Sequence, residues 1–167
     1  AFADRTVEMA RDLLACGLDP ERSILFAQSQ VPEHTELAWI FQATSTSYGE
    51  LQRMTQFKSK SEGRESVSTG LLDYPVLQAA DILAYRAHAV PVGEDQLPHL
   101  ELTREIGRRF NHHFGDIFPE PEGLVTKFAR FPGTDGKRMS KSLGNTIEIS
   151  ADPDEIRAKI KPAFTDP

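Results

Sequence analysis

Strand-like and helical segments alternate along this chain, and this alternation restricts its fold more than any other feature. Residues 23–27 and 87–92 are short apolar runs that predict strands, and residues 125–131 predict a third strand. The segments between them carry apolar residues at helical spacing. Such alternation predicts an α/β protein with a mostly parallel sheet. Three strands make a small, poorly covered sheet, so we expect the sequence to be part of a larger domain.

The predicted helices are identified by their apolar faces and by their ends. They cover residues 2–16, 32–43, 49–57, 67–72, 76–85, 97–113 and 153–160, with a break near Tyr74 and Pro75. Asp152 is a candidate N-cap of the last helix. Residues 58–66 contain no hydrophobic residue and predict a mobile loop. Residues 119–123 and 132–145 predict two further loops, of which the second is rich in glycine, lysine and serine.

The composition excludes several classes of protein. No apolar run reaches the ~18 residues of a membrane-spanning helix. A single cysteine, Cys16, excludes an internal disulfide framework and fits a reducing compartment. The 19 basic and 25 acidic residues give a net charge of −6, which argues against a surface covered with phosphate-binding charge but not against a local basic patch. The chain begins within a helical pattern and without methionine, so we expect a fragment.

A polar turn between a strand and a helix is the first candidate site. The turn, residues 93–96, follows the predicted strand at residues 87–92. In open α/β sheets, ligands bind at the carboxyl ends of the strands. Gly93 lets a ligand approach the backbone, Asp95 can accept hydrogen bonds from ribose hydroxyls, and Gln96 can both donate and accept. The turn indicates a nucleotide site, and an ordinary strand-to-helix turn remains the alternative.

A basic loop near the C-terminal end is the second candidate site. Three cations, Lys137, Arg138 and Lys141, stand beside the hydroxyls of Ser140 and Ser142. Such a loop can surround a polyphosphate with positive charge. The glycine-lysine spacing of a Walker P-loop is absent. A solvated basic loop with no ligand is the alternative interpretation.

Two further groups could contact a ligand. Gln78 and Asp81 are three residues apart, so they share one face of a helix with Tyr74 nearby. Asp81 has apolar neighbours on both sides, and a carboxylate in such surroundings needs a partner, either a ligand N–H or O–H or a protein cation or cap. The loop at 58–66 carries Lys60, and its simplest interpretation is a disordered surface loop.

The histidines do not show the spacing of a metal site. His112 and His113 are adjacent and point to different faces of the predicted helix, so we expect no protein-bound metal. We also find no arrangement of serine, histidine and aspartate that suggests a nucleophilic triad.

The basic loop carries a resemblance to a known family. Arg138-Met139-Ser140-Lys141-Ser142 resembles the KMSKS signature of the class I aminoacyl-tRNA synthetases, with arginine in the first place. Residues 49–58, 79–83 and 90–96 are similar to stretches of the bacterial tryptophanyl-tRNA synthetases in particular. The resemblance covers nearly the whole chain in the same order, and the motifs together make it specific.

The resemblance implies a fold and an activity. Residues 1–149 would belong to a Rossmann-type catalytic domain that includes the KMSKS-like loop, and residues 150–167 would begin a C-terminal helical region. Members of the family are cytoplasmic homodimers that join tryptophan to ATP, with Mg²⁺ expected beside the ATP, and then transfer the amino acid to tRNA(Trp). The family's HIGH-like signature is absent from this sequence, so the resemblance implies the second half of the catalytic domain, inactive by itself.

The resemblance also implies a role for individual residues. Asp81 would accept the indole N–H of tryptophan, and four residues would line the side-chain pocket: Tyr74, Gln78, Val90 and Val92. Lys60, Arg138 and Lys141 would contact the pyrophosphate part of ATP and act in catalysis. The remaining ATP-binding residues would be Gly93, Glu94, Asp95, Gln96, Phe131, Met139, Ser140 and Ser142, with Met139 and Phe131 against the adenine. Residues 49–57 would lie near the dimer contact.

Two alternatives remain open from the sequence. The first is a relative of the tyrosyl-tRNA synthetases, which also use a carboxylate to recognise the side chain but differ at the counterpart of residues 93–96. The second is a fragment that binds nucleotide without catalysis, against which the presence of Lys141, Asp81 and Asp95 argues.

Overall fold

The computed structural model describes residues 2–125 and 131–164. These residues form seven α-helices and two β-strands: α1 (Phe2–Ala15), α2 (Glu33–Thr44), α3 (Tyr48–Arg53), α4 (Thr55–Ser61), α5 (Thr69–Leu83), β1 (Ala89–Val92), α6 (Leu97–Phe114), β2 (Glu122–Val125) and α7 (Pro153–Ile160). The chain divides into two compact units, with boundaries after residue 27 and after residue 127. The central unit contains α2 to β2. The other unit consists of two segments, residues 1–27 and residues 128–167.

The core of the central unit lies between α2, α5 and α6. Phe41 of α2, Val76 and Leu83 of α5, and Ile106 of α6 are completely buried. The Phe41 ring meets the rings of two aromatic neighbours, Phe110 and Phe118, edge to face. Fully burying such side chains stabilises the fold by about 1.5–3 kcal/mol each, so this packing fixes the position of α5.

Strands β1 and β2 form a parallel pair joined through α6. Ala89 pairs with Glu122 and Val92 with Val125. Two parallel neighbours joined by a helix are the βαβ unit of α/β proteins, which confirms the predicted fold class. Gly123 permits this packing, because a Cβ at that position would lie 3.0 Å from a Leu100 methyl carbon of α6.

Helix α5 continues through Pro75, where the sequence predicted a break. A proline inside a helix costs about 3 kcal/mol. Pro75 is itself buried, and the same helix buries Val76, Ala79, Ala80, Ile82 and Leu83. The burial of several apolar side chains outweighs the cost of one proline.

The predicted helix at residues 49–57 is two helices in the structure. Helix α3 ends at Arg53 because Met54 has an extended backbone, and α4 begins at Thr55. Helix α4 continues to Ser61, so the first part of the predicted loop at residues 58–66 is helical. Helix α3 is held against α6 by the ion pair of Glu50 with Arg109, which lowers the pKa of the Glu50 carboxyl.

The first predicted strand, at residues 23–27, is wrong. The segment has no strand pairing, and Ile24 is 88% exposed. A strand requires a neighbouring strand for its backbone hydrogen bonds, and within residues 2–125 and 131–164 no strand pairs with this segment. Strand β2 begins at Glu122, inside a predicted loop, and residues 126–130 of the third predicted strand lie outside the described residues.

The other unit contains α1, the basic loop and α7. The helical spacing of α1 predicts one apolar face with Phe2, Thr6, Ala10, Leu13 and Leu14. The first four line an apolar groove, and Leu14 is not among its lining residues. Asp152 caps α7 as expected, since its carboxylate accepts hydrogen bonds from the backbone N–H groups of Asp154 and Glu155. The expectation that a helical region begins at residue 150 stays a prediction. Among the described residues, no helix combines the length and apolarity that crossing a membrane requires.

We expect the change Leu83→Ala to lower the free energy of unfolding by about 2–5 kcal/mol, because it leaves a cavity in a fully buried site. Urea denaturation monitored by circular dichroism measures this loss. The matched change Leu124→Ala, at a side chain that is 54% exposed, should cost much less. Equal losses for the two variants would contradict the proposed location of the core.

Candidate functional site

One face of α5 carries the three polar residues that the sequence singled out. Tyr74, Gln78 and Asp81 are spaced four and three residues apart, so their side chains share a face. All three are half-buried. Helix α5 is therefore apolar toward the core and carries this partly enclosed polar stripe as well.

Asp81 has the partner that its surroundings require. The side-chain amide of Gln28 donates hydrogen bonds to both carboxylate oxygens, with Nε2 2.8 Å from each. Gln28 begins a short 3-10 helix, Gln28–Gln30. The Asp81 carboxylate therefore already accepts hydrogen bonds from a neutral protein donor and has lone pairs left for a further one.

The turn after β1 is held by one backbone and one side-chain hydrogen bond within the turn. The backbone N–H of Gln96 donates to the carbonyl of Gly93 at 2.9 Å, and the side-chain amide of Gln96 donates to Asp95 Oδ2 at 3.0 Å. A Cβ at Gly93 would lie 2.8 Å from Asp95 Oδ1. The absence of a side chain at Gly93 therefore lets the Asp95 carboxylate fold back over the turn. Asp95 itself is exposed and available to a ligand. Glu94, in the same turn, is also exposed.

Strand β1 leads into this turn with one face half-buried. Val90 and Val92 alternate with the exposed Ala89 and Pro91. Both valines therefore lie on the same side of the strand, as a common wall of one pocket would require.

Helix α4 contributes a cation to the same region. The side-chain amide of Gln56 donates to the carbonyl of Asp95 at 2.8 Å, which fastens α4 to the turn. Lys60, one turn further, places its Nζ 5.2 Å from the centre of the Tyr74 ring. This is the distance of a cation–π contact, worth about 0.5–1 kcal/mol at an exposed site. Lys60 is therefore an ordered contact of α5.

His99 completes this cluster from the first turns of α6. Its Nε2 lies 2.8 Å from the Tyr74 hydroxyl, and its side chain is buried, with 1% of the residue exposed. Burial, followed by the charge of Lys60, lowers the pKa of His99, while Asp95 acts in the opposite direction. The imidazole is therefore neutral near pH 7.

The KMSKS-like loop is organised around Asn145 in the other unit. The buried Asn145 side chain accepts a hydrogen bond from the backbone N–H of Ser140 at 2.8 Å. Its amide donates to the Asp135 carboxylate at 2.8 Å and to the Arg138 carbonyl at 3.0 Å. The hydrogen bond from the Asn145 amide lowers the pKa of the Asp135 carboxyl. The backbone of the loop is thus fixed while its cationic side chains extend outward.

The side chains of this loop are accessible. Lys141 has 80% of its side chain exposed, with its Nζ 4.0 Å from Glu148. Arg138, Met139 and Phe131 are also exposed, and the hydroxyls of Ser140 and Ser142 lie 2.8 Å apart. Two exposed cations next to two hydroxyls on a fixed backbone can bind an anion with several oxygens.

The structure brings several of the predicted residues together. Lys60, Tyr74 and Asp95 belong to one cluster through Gln56 and His99. Gln78 and Asp81 lie on the same helix face as Tyr74. Residues 138–142 form a second group within the other unit. In the described part of the chain, no three side chains of histidine, cysteine, aspartate or glutamate are grouped so that they could hold a metal ion.

Sequence reasoning missed three residues that position these groups: Gln28, His99 and Asn145. Gln28 is 53 positions from its partner, and no local pattern connects them. His99 follows the polar turn by three residues. Its helical spacing from Thr103 and Ile106, on the buried side of α6, was the signal available in the sequence. Asn145 follows a glycine at the end of a basic loop, a position where side chains commonly bond to the backbone.

Comparisons with known proteins agree with these motifs. The family model described as class I tRNA synthetases (W and Y) matches residues 2–167. The tryptophan–tRNA ligase of Deinococcus radiodurans is 56% identical over 99% of this chain and 51% of its own length. The ligase of the same name from Caldanaerobacter subterraneus is 53% identical over 96% of this chain and 51% of its own length.

A solved structure is similar as well. The tryptophanyl-tRNA synthetase of Campylobacter jejuni complexed with ADP and tryptophan has a TM-score of 0.89 at 40% identity, and the match covers 98% of this chain and 51% of that one. The chain spans about half the length of the curated relatives it matches. These matches confirm the Rossmann-type fold expected from the sequence.

We expect the free energy of unfolding to fall as the pH is lowered through the His99 transition. Unfolded His99 binds a proton near its ordinary pKa of 6.5, whereas folded His99 does so only at lower pH. Between these values the unfolded state binds more protons, so acidification favours unfolding. Urea denaturation at about pH 7.5 and about pH 5.5 measures the difference, which His99→Gln should reduce. The exposed control His113→Gln should leave it as in the wild type, and an unchanged difference in His99→Gln would contradict the assignment.

Proposed function

Because this chain belongs to the class I tRNA synthetases of the tryptophan and tyrosine group, we propose that it supplies part of the active site of a tryptophan–tRNA ligase. The observation that carries the proposal is the half-buried Asp81 carboxylate, which accepts hydrogen bonds from an amide N–H on a partly enclosed helix face. The indole N–H of tryptophan is also a neutral donor with no acceptor function. The named activity of the relatives, at 56% and 53% identity, supports tryptophan as the amino acid.

The proposed reaction has two steps. In the first, the carboxylate of tryptophan attacks the α-phosphorus of ATP in line. The bond between the α-phosphorus and the oxygen that bridges to the β-phosphorus breaks, and pyrophosphate leaves. In the second, a terminal ribose hydroxyl of tRNA(Trp) attacks the carbonyl of the adenylate and AMP leaves. The first step needs no protein nucleophile, so catalysis consists of positioning and of stabilising the charge on the departing pyrophosphate.

The cations are proposed to serve the departing group. Lys60 contacts the Tyr74 ring from α4, the helix that Gln56 fastens to the turn after β1, and Arg138 and Lys141 are presented by the loop around Asn145. Their positive charges would interact most strongly with pyrophosphate as its negative charge develops. Ser140 and Ser142 would donate further hydrogen bonds to phosphate oxygens.

The nucleoside part of ATP is proposed to lie against the turn after β1. Gly93 would allow close approach of the ribose, and Asp95 would accept hydrogen bonds from its hydroxyls. Glu94 and Gln96 complete this segment, and the exposed side chains of Met139 and Phe131 would pack on the adenine. Magnesium ion commonly binds through substrate phosphates and retained waters, so we propose that Mg²⁺ enters with ATP and assign it no protein ligand.

We also propose that the enzyme acts as a homodimer in the cytoplasm. Residues 49–57, in α3 and α4, are the proposed dimer contact, and Tyr48 at the start of α3 is 65% exposed. Large exposed aromatic side chains are enriched at protein interfaces. Sedimentation equilibrium of the full-length gene product tests the proposal, and a monomeric mass at micromolar concentration would contradict it.

We predict that Asp81→Ala lowers the use of tryptophan by up to ~10⁴-fold in kcat/KM, because a site built to recognise a polar hydrogen loses that recognition. The KM for ATP should change much less. Tryptophan-dependent exchange between ATP and pyrophosphate, in the full-length gene product that carries this sequence, is the measurement. Asp73→Ala on the same helix is the matched control. A normal tryptophan KM in Asp81→Ala would refute the pocket assignment, and exchange that depends on tyrosine would favour a tyrosine enzyme.

We predict that Lys141→Ala lowers the rate of adenylate formation by ~100-fold or more, because it removes a charge that stabilises the departing pyrophosphate. The KM for tryptophan should remain close to the wild-type value. Lys161→Ala, which removes an exposed charge from the same unit but outside this loop, is the control and should retain most of the activity. Exchange at the wild-type rate in Lys141→Ala would be incompatible with the proposed role.

A further inference from the structure

His99 occupies a position that packing alone does not explain. It is a polar residue with 1% exposure among the apolar side chains of α6. Its Nε2 bonds to the Tyr74 hydroxyl, and its Nδ1 is buried and has no hydrogen-bond partner among the described residues. An unsatisfied buried polar atom costs about 1–3 kcal/mol. A leucine here would avoid that cost, so the imidazole has a use that offsets it.

Tyr74 is held from two sides. Its hydroxyl meets His99, with the two ring centres 5.4 Å apart, and its ring face meets Lys60. A tyrosine has two side-chain torsions, and the hydroxyl bond restricts both of them. The position of the ring therefore depends on His99. The ring in turn supports Lys60.

We propose that His99 is a positioning residue of the amino-acid site, which fixes the Tyr74 ring as a wall of the tryptophan pocket through the bond between Nε2 and the Tyr74 hydroxyl. This inference rests on the proposed function, because it assumes that Tyr74 lines that pocket. His99 touches neither substrate nor reacting atoms in this assignment. Its effect reaches the substrate through Tyr74.

The charged and titratable groups around His99 fit a neutral imidazole. Lys60 of α4 faces it as a cation, Asp95 precedes α6 as an anion, and Tyr74 of α5 is the bonded partner. Neutral imidazole has one donor nitrogen and one acceptor nitrogen, so it can pair with the hydroxyl in either tautomer. The bond is consequently preserved whichever nitrogen carries the proton.

The test compares four variants by tryptophan-dependent exchange in the full-length gene product. His99→Leu and Tyr74→Phe each remove one end of the bond, and each should raise the KM for tryptophan by roughly 3- to 10-fold, as expected for the loss of one hydrogen bond. The double variant should be no worse than either single variant, because both remove the same interaction. His99→Gln, whose side-chain amide can reach the hydroxyl, should restore most of the wild-type KM.

The controls separate this proposal from the one on which it rests. His113→Leu, at an exposed position of α6, should leave the KM for tryptophan unchanged. If Asp81→Ala impairs the use of tryptophan while His99→Leu and Tyr74→Phe stay within twofold of the wild type, the positioning role is wrong and the proposed function stands. If Asp81→Ala, His99→Leu and Tyr74→Phe all leave the use of tryptophan unchanged, the proposed function fails.

A structural role for His99 alone would give a different pattern. It would lower the midpoint of urea denaturation without raising the tryptophan KM. Additive increases of the tryptophan KM in the double variant would also overturn the proposal, because they would mean that the two side chains act independently. If His99→Leu does not fold, the tryptophan KM values of Tyr74→Phe and His99→Gln still test the proposal. Tyr74→Phe keeps the aromatic ring, and His99→Gln keeps a polar side chain at position 99.

Discussion

The packing of α5 against α2 and α6 determines where the proposed site lies. Val76, Ala79, Ala80 and Leu83 are completely buried, so the helix can neither rotate nor slide without exposing them. The polar stripe of the same helix is thereby fixed as well. A substrate-binding face on a helix with such a core contact is more precise than one on a loop, because the backbone has no freedom to adjust.

The two groups of candidate residues are built on different principles. In the central unit, Lys60, Tyr74 and His99 restrain one another through direct contacts, so their geometry exists before any ligand binds. In the other unit, Asn145 fixes the loop backbone and leaves the side chain of Lys141 in solvent. Holding such a side chain in one conformation costs up to about 2 kcal/mol of entropy. A ligand with several negative charges can supply that free energy.

The sequence predicted what depends on local pattern. The helical spacing of α1 and α6, the strand before Gly93 and the cap at Asp152 were all visible without a structure. Predictions failed where distant contacts decide the outcome. Helix α5 passes through Pro75 because its other residues are buried, and residues 23–27 form no strand because a strand needs a neighbour. For the same reason the residues that hold the candidate side chains escaped notice, although the candidates themselves stood in recognisable motifs.

The amide of Gln28 has a consequence for the energetics of ligand exchange. A carboxylate beside apolar residues would ordinarily have to lose bound water when a guest arrives, and that dehydration opposes association. Here a protein donor already occupies both oxygens. If Asp81 recognises a substrate N–H as proposed, the incoming donor would join or replace one of the same polarity. Part of the dehydration of Asp81 would then have occurred during folding and would not recur at each turnover.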